Sequence, residues 1–319
     1  MAYAPASNTT LTPSLTHLAT VYYNRKALDQ LTQMFMFREG TEPDVMPLRS
    51  GKTMQWYRYS LFGANTTPAS EGTVGTGLTL TTTTVSATVS EYADYLTGST
   101  LLEETAIDPI KENAAEQLGY RGGLTVDTIT RTEFDSNAAS VQLATLGATL
   151  SANDLRRSVM LLKGINVRPK MGQDFIGIIH PYVLYDLMSD NTAGGFIDVM
   201  KYANPDSMVN GEAGKMAGVR LLQSTNVGTT GTAPQVKYYV YVIGKGAVGA
   251  VDLSGAGPSK VMDPQKQTFK VNVIQGGPQI ADPAGMIGFA VSYRFVYVAQ
   301  TLDSTNYRYR IILGDSSII

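Results

Sequence analysis

Hydrophobic and polar positions alternate with two different periods along this chain, and the change of period divides it. From Met54 to Phe62 aromatic and polar residues alternate two by two, which predicts a strand. A loop of Gly, Thr, Ser and Pro with one Glu follows from Gly63 to Gly77, and a return strand is expected from Leu78 to Tyr95. Within it Leu78 and Leu80 fall on even positions but Val85, Ala87 and Val89 on odd ones, so the apolar face switches near Thr82. A bulge there, or partners on opposite faces at the two ends, would explain the switch. From Leu101 to Phe134 the period becomes helical, with Ile107, Ile110, Ala114, Leu118, Val126 and Ile129 on one stripe. Glu103, Glu104, Asp108 and Glu112 crowd its early turns, where the helix dipole favours anions, and Asp108-Pro109 suits a cap and first helical position. Gly122-Gly123 predicts a kink, a close backbone approach, or a break into two helices. A long Thr-rich ribbon with no apolar face large enough to fold alone is marginal in water. It needs something outside itself to rest on, which points toward an assembling protein.

The remaining pattern surrounds this stretch. Residues 1–13 read as a polar arm, and a helix is expected from about Leu15 to Met36. On it Arg25 and Lys26 read either as a solvated face or as a contact to a polyanion, while Phe35, Met36 and Phe37 are apolar enough to dock on another element. Beyond the long helix, Asn137 to Leu150 is a small-residue connector, and Asn153-Asp154 is expected to cap a helix running through Leu162. A buried strand at Asp174–Ile179, a helix opened by Pro181 over Tyr182–Met188, a loop-rich stretch at Gly194–Asn210, and strands at Gly218–Gln223 and Val236–Ile243 suggest an inserted α/β unit at about 149–266. Thr268–Ile274, Met286–Ala299 and Tyr307–Leu313 are β-rich. The last two are expected to form a hairpin around Leu302–Asn306 that packs on the helix after Leu101. The fold class is α+β.

Composition narrows the chemistry. The chain has 319 residues, a net charge of -2, and 16 % charged residues, against about 25 % in typical soluble domains. There is no basic footprint for nucleic acid, and a surface short of charge is consistent with cover by neighbouring subunits or simply with a Thr-rich β protein. With no Cys, disulfides and thiolate chemistry are excluded. Met1-Ala-Tyr-Ala-Pro carries no secretory signal pattern and no apolar run approaches a membrane span, so the protein is expected to be made in a cytoplasm and to stay soluble or assemble there. Gly244-Lys-Gly246-Ala-Val-Gly249 matches a dinucleotide fingerprint after a strand, but the sequence beyond it breaks before a helix can form. Gly51-Lys52-Thr53 resembles the end of a phosphate loop, yet Met46 stands where its first Gly is required. The two histidines, His17 and His180, lack metal-ligand spacing, and His180 at a strand-to-helix turn reads as structural. Glu103-Glu104 and Asp186/Asp190 read as solvated faces or caps. No active site, cofactor or metal is expected. Trp56, Tyr57 and Tyr59 at the base of the ribbon, and Leu78, Leu80 and Val85 along it, are the candidate inter-subunit contacts, with ordinary core as the other reading of Trp56.

The series Leu48 to Tyr59, Thr66 to Gly72, Thr81 to Tyr95, Glu103 to Pro109 and Glu116 to Gly119 resembles, in order and spacing, the coat-protein family of phage N-four. That family is a branch of the tailed-bacteriophage major capsid proteins whose fold is named after phage Hong Kong ninety-seven. The resemblance is strongest over 45–135. It implies an N-arm (1–50), an extended E-loop hairpin (51–97), a peripheral domain with a spine helix (98–148, completed by 267–319) and an axial domain (149–266). It implies an icosahedral head shell of hexamers and pentamers that encloses double-stranded DNA without reading its sequence, with scaffolding, portal and decoration proteins as further partners and no membrane. No Lys lies between Lys52 and Lys111, so the isopeptide cross-link that some relatives make through this loop is not expected. An encapsulin-like nanocompartment shell is the alternative on the same fold, and an α/β enzyme is the reading from another class.

Overall fold

A computed structural model describes residues 36–47, 49–69, 71–72, 74, 77–106, 110–144, 149–190, 214–231, 236–253, 272–275 and 286–315. The expected N-terminal helix, the Asp108-Pro109 cap and the stretch at Gly194–Asn210 lie outside them. A 3-10 turn at Phe37–Gly40 leads into β1 (Thr41–Met46), followed by β2 (Thr53–Tyr59), β3 (Thr82–Thr88) and β4 (Ser90–Ser99). Helices α1 (Thr100–Thr105), α2 (Ile110–Ser136) and α3 (Ala138–Val141) come next, then β5 (Gln142–Leu143), α4 (Ala152–Gly164), β6 (Phe175–Ile179) and α5 (Pro181–Ser189). The chain continues through β7 (Lys215–Met216), β8 (Val219–Gln223), β9 (Thr229–Thr230), β10 (Lys237–Ile243), β11 (Val248–Leu253), β12 (Asn272–Gln275), β13 (Ile287–Thr301) and β14 (Tyr309–Asp315).

Among the described residues three sheets result. The first is organised on the 15-residue β13, which pairs antiparallel with β4 along one edge and with β12 and β11 on the other, while β1 adds parallel to β11. Val291, Tyr293, Phe295, Tyr297 and Ala299 point to one face of β13, as a period of two requires, and all are buried there. Helix α2 supplies the matching stripe, Ala114, Leu118, Gly122, Val126, Thr130 and Phe134, in steps of four that meet that face. The second sheet runs β5-β14-β10-β6-β8-β7, with β9 also on β10, and buries Phe175, Ile179, Val240 and Val242 against α4 and α5. The third is the ribbon β2–β3 alone.

Several expectations are corrected. β13 and β14 are not a hairpin: they belong to different sheets. The turn between them contains buried Asp303, whose Oδ1 accepts the N–H of Thr305 (3.2 Å) and of Asn306 (3.0 Å), so the backbone closes on a side chain and β14 is redirected to β10. The return strand is two strands that change partner at Val89: β3 pairs with β2, whereas β4 pairs with β13. Its register with β2 is unbroken, so there is no bulge at Thr82; Leu78 and Leu80 precede the paired strand, and their parity carries no information about its faces. Helix α2 runs through Gly122 and Gly123 without a break, and both glycines are buried. The cap of α4 is Ser151 rather than Asn153: Asp154 Oδ2 accepts the Ser151 N–H at 3.0 Å, which completes a capping box.

Candidate assembly surface

The ribbon β2–β3 is held by its base and uncovered beyond it. Trp56 opposes Val85 and Met54 opposes Ala87, on the face turned toward the rest of the chain, and Ala87 is buried. The indole of Trp56 lies over β11 so closely that a Cβ at Gly249 would stand 2.9 Å from its Cζ2. Arg58, on the same face, forms an ion pair with Asp303 in the turn before β14. These contacts fasten the ribbon root to both larger sheets. They also place Trp56 and Val85 against the chain's own body.

The opposite face is bare. Tyr57 is 64 % exposed and Tyr59 60 %. Beyond the paired strands the apolar residues are exposed as well: Leu61 at 98 %, Leu78 at 76 % and Leu80 at 57 %, with Phe62 and Val74 also exposed. Single exposed apolar residues are ordinary, but this many on one projecting segment are not. The ribbon's own order comes from its backbone ladder and from hydroxyl contacts such as Thr81 Oγ1 to Ser60 Oγ at 2.9 Å, which do not need an apolar core. Thus Tyr57, Tyr59, Leu78 and Leu80, all read as contact residues from the sequence, are gathered on a free segment. Leu61 and Phe62 join them; the sequence pattern marked both as apolar but assigned them to a strand.

A second, smaller exposed apolar group lies on the first sheet: Tyr95 and Leu96 of β4, Leu101 and Leu102 of α1, and Met286. Glu103 in α1 pairs with Lys111.

The entry into β1 is fixed from beneath. Phe37 donates its backbone N–H to Asp127 Oδ1 at 2.9 Å, and Asn226 Nδ2 donates to Asp127 Oδ2 at 2.8 Å, so one carboxylate of α2 joins the entry turn to the segment after β8. Burial pushes the Asp127 carboxyl up to about 6, against the opposing pull of those two donors and of Arg131. Arg38 pairs with Asp252 and sits 5.7 Å from the ring centre of Tyr297. Tyr241 donates to Asp135 Oδ1 at 2.6 Å and accepts from the Gly228 N–H at 3.0 Å.

The motifs weighed for catalysis have other roles. The Gly244–Gly249 run is followed by strand β11, not by a helix, so no helix N-terminus faces a phosphate. Gly246 turns the chain at φ 70°, and Gly249 makes room for Trp56. His180 caps α5 by accepting the Tyr182 N–H and stacks on Tyr238 at 4.2 Å, and burial lowers its pKa. Asp186 is buried rather than on a solvated face, and Asp190 is the C-cap of α5. Among the described residues no cluster of three His, Cys, Asp or Glu is arranged to hold a metal, and no helix is long and apolar enough to cross a membrane.

No protein-family model and no curated protein matches the sequence. Solved structures do match, along nearly the whole chain. The capsid of cyanophage P-SCSP1u is similar with a TM-score of 0.69 at 15 % identity, covering 99 % of both chains. The capsid of Ralstonia phage GP4 gives 0.69 at 10 % identity, covering 98 % of this chain and 99 % of the other. The head of Helicobacter pylori bacteriophage KHP40 gives 0.67 at 9 % identity, covering 98 % and 99 %. The chain therefore shares an α+β fold with phage capsid chains.

Proposed function

We propose that this chain is the major capsid protein of a tailed bacteriophage, located in the virion head, and that many copies close into an icosahedral shell around packaged double-stranded DNA. The observation that carries this reading is the likeness to phage capsid chains across both full lengths. The free ribbon supports it independently, since a two-stranded arm with bare apolar side chains is suited to lying across another copy. In this reading the coat-protein family of phage N-four is the nearest branch. Residues 1–50 are the N-arm, 51–97 the extended loop, 98–148 with 267–319 the peripheral domain around spine helix α2, and 149–266 the axial domain. Tyr57, Tyr59, Leu78 and Leu80 are the inter-subunit contacts, while Trp56 and Val85 set the angle at which the ribbon leaves. Its work is burial of surface on association rather than chemistry, with symmetry multiplying modest contacts until no edge is left. Scaffolding, portal and decoration proteins are its further partners.

The test is expression of the chain with and without a phage scaffolding protein, followed by electron microscopy. Closed shells of uniform size are expected. A chain that remains monomeric under every assembly condition overturns the proposal. Nuclease-protected DNA inside particles from infected cells, as opposed to a protein cargo, distinguishes a viral head from an encapsulin-like compartment.

A further inference from the structure

A cleft of about 830 Å³ opens between the ribbon root and the body of the chain, within the size range of small-molecule sites. Four cations line it, Arg58 on β2 and Arg168, Lys245 and Arg308 on connections of the body, against two carboxylates, Glu42 and Asp303. Asp303 Oδ2 serves two of the cations at once, pairing with Arg58 and lying 3.7 Å from Arg308. Glu42 is engaged elsewhere: its Oε1 accepts the Gly246 N–H at 3.0 Å and faces Lys170 Nζ at 3.6 Å. Arg168 and Lys245 are exposed and form no ion pair among the described residues. On a chain with a net charge of -2, the cleft therefore concentrates positive charge.

The backbone gathers these cations. The Lys245 N–H donates to the Arg168 carbonyl and the Gly244 N–H to the Arg308 carbonyl, both at 2.9 Å, so three connections distant in sequence are stapled side by side. A Cβ at Gly246 would stand 2.7 Å from Arg308 Nη1, and its absence lets the guanidinium lie against that turn. Burial lowers the pKa of Lys170 against the upward pull of Glu42, and the charge of Lys245 adds to the lowering. Like charges are thus held near one another by hydrogen bonds that do not neutralise them. Such an arrangement suits an anion with more than one charge.

We infer that the cleft binds a small molecule carrying a short chain of phosphate groups, held by Arg168 and Lys245 from the body and by Arg58 from the ribbon. Guanidinium and ammonium groups together match such a ligand, the first as planar forks and the second as a point charge. A ligand seated there touches both the ribbon and the body, and so fixes the angle at which the ribbon leaves. The site belongs to a single copy of the chain and goes beyond the shell reading, which stands or falls without it.

The chain supplies its own reporter. Its single tryptophan, Trp56, stands two residues before Arg58 and lies over Gly249 of β11, at the ribbon root. The test is titration of the unassembled full-length chain with inorganic triphosphate, followed by calorimetry and by Trp56 fluorescence. Saturable binding of one triphosphate per chain is expected, with a shift in Trp56 emission. Arg168→Gln with Lys245→Gln is expected to weaken binding at least about tenfold, the order of losing one or more hydrogen bonds to a charged group. Both side chains are exposed, so the unfolding midpoint is expected to stay in place. Arg156→Gln with Arg220→Gln removes the same charge from exposed positions outside the cleft, and is expected to leave affinity within about twofold. Binding that does not saturate, or that the two double variants weaken equally, overturns the inference. So does a short DNA duplex that binds as well per phosphate as triphosphate, since that is diffuse attraction and not a site.

Discussion

Strand β13 and the ribbon β2–β3 are made of the same material, aromatic and β-branched residues alternating with polar ones, and they end differently. On β13 one face meets α2 and both edges are paired, so Tyr293, Phe295 and Tyr297 are buried inside the chain. On β2 the inner face meets β11 through Trp56, while Tyr57 and Tyr59 on the other face are exposed. Alternation therefore specifies that a strand has two unlike faces, and not whether the cover comes from the same molecule. Where the covering element is a helix of matched period and length, folding completes the contact. Where no such element is present among the described residues, the face stays exposed.

Perturbing each side of this contrast separates folding from assembly, and the expected effects on stability descend from core to tip. Phe289→Ala, on β13 under Lys111 of α2 and fully buried, is expected to cost about 3–5 kcal/mol in denaturant unfolding, with assembly lost only because the fold is lost. A pH titration of stability is the next largest effect. The folded chain holds the Asp127 proton between about pH 4 and 6, where the unfolded chain has released it, so this group favours the fold most at low pH. That contribution, on the order of 3 kcal/mol, falls away as pH rises through 6. Asp127→Asn is expected to flatten this slope; an unchanged slope would show that the carboxyl joining the entry turn to α2 does not titrate there. Trp56→Ala removes a half-buried ring and is expected to cost about 1–2 kcal/mol, and to lower assembly by loosening the ribbon root rather than by deleting a contact with a neighbour. Leu78→Ser with Leu80→Ser is expected to leave unfolding within about 0.5 kcal/mol and still to abolish shells, measured by light scattering and microscopy. If those last two changes destabilise the monomer as much as Phe289→Ala, the ribbon tip is core and the contrast fails.

Much of the fold was readable in the chain. The helical stripe of α2, the buried run Phe175–Ile179, Pro181 opening α5 and the strand at Lys237–Ile243 were marked by period and by local stop signals. The handover at Asp303 was not, because an Asp in a turn has no periodic signature, and its pairing with Arg58, 245 residues earlier in the chain, has no local signal. The sequence named Tyr57, Tyr59, Leu78 and Leu80 as contact residues, and the structure shows all four exposed. The cleft was not legible, since Arg168, Lys245 and Arg308 come from three separate turns.

By itself the sequence determined which segments are helical or extended, that the ribbon is rich in Thr and poor in charge, and that thiol chemistry is absent. These follow from neighbours within a few residues, whose spacing fixes the local backbone and its faces. Only the tertiary structure decided that β13 and β14 part into different sheets, that Trp56 turns inward and Tyr57 outward, and which cations meet at the ribbon root. Those outcomes depend on partners distant in sequence, and a period of two is satisfied equally well by either direction until a partner is in place.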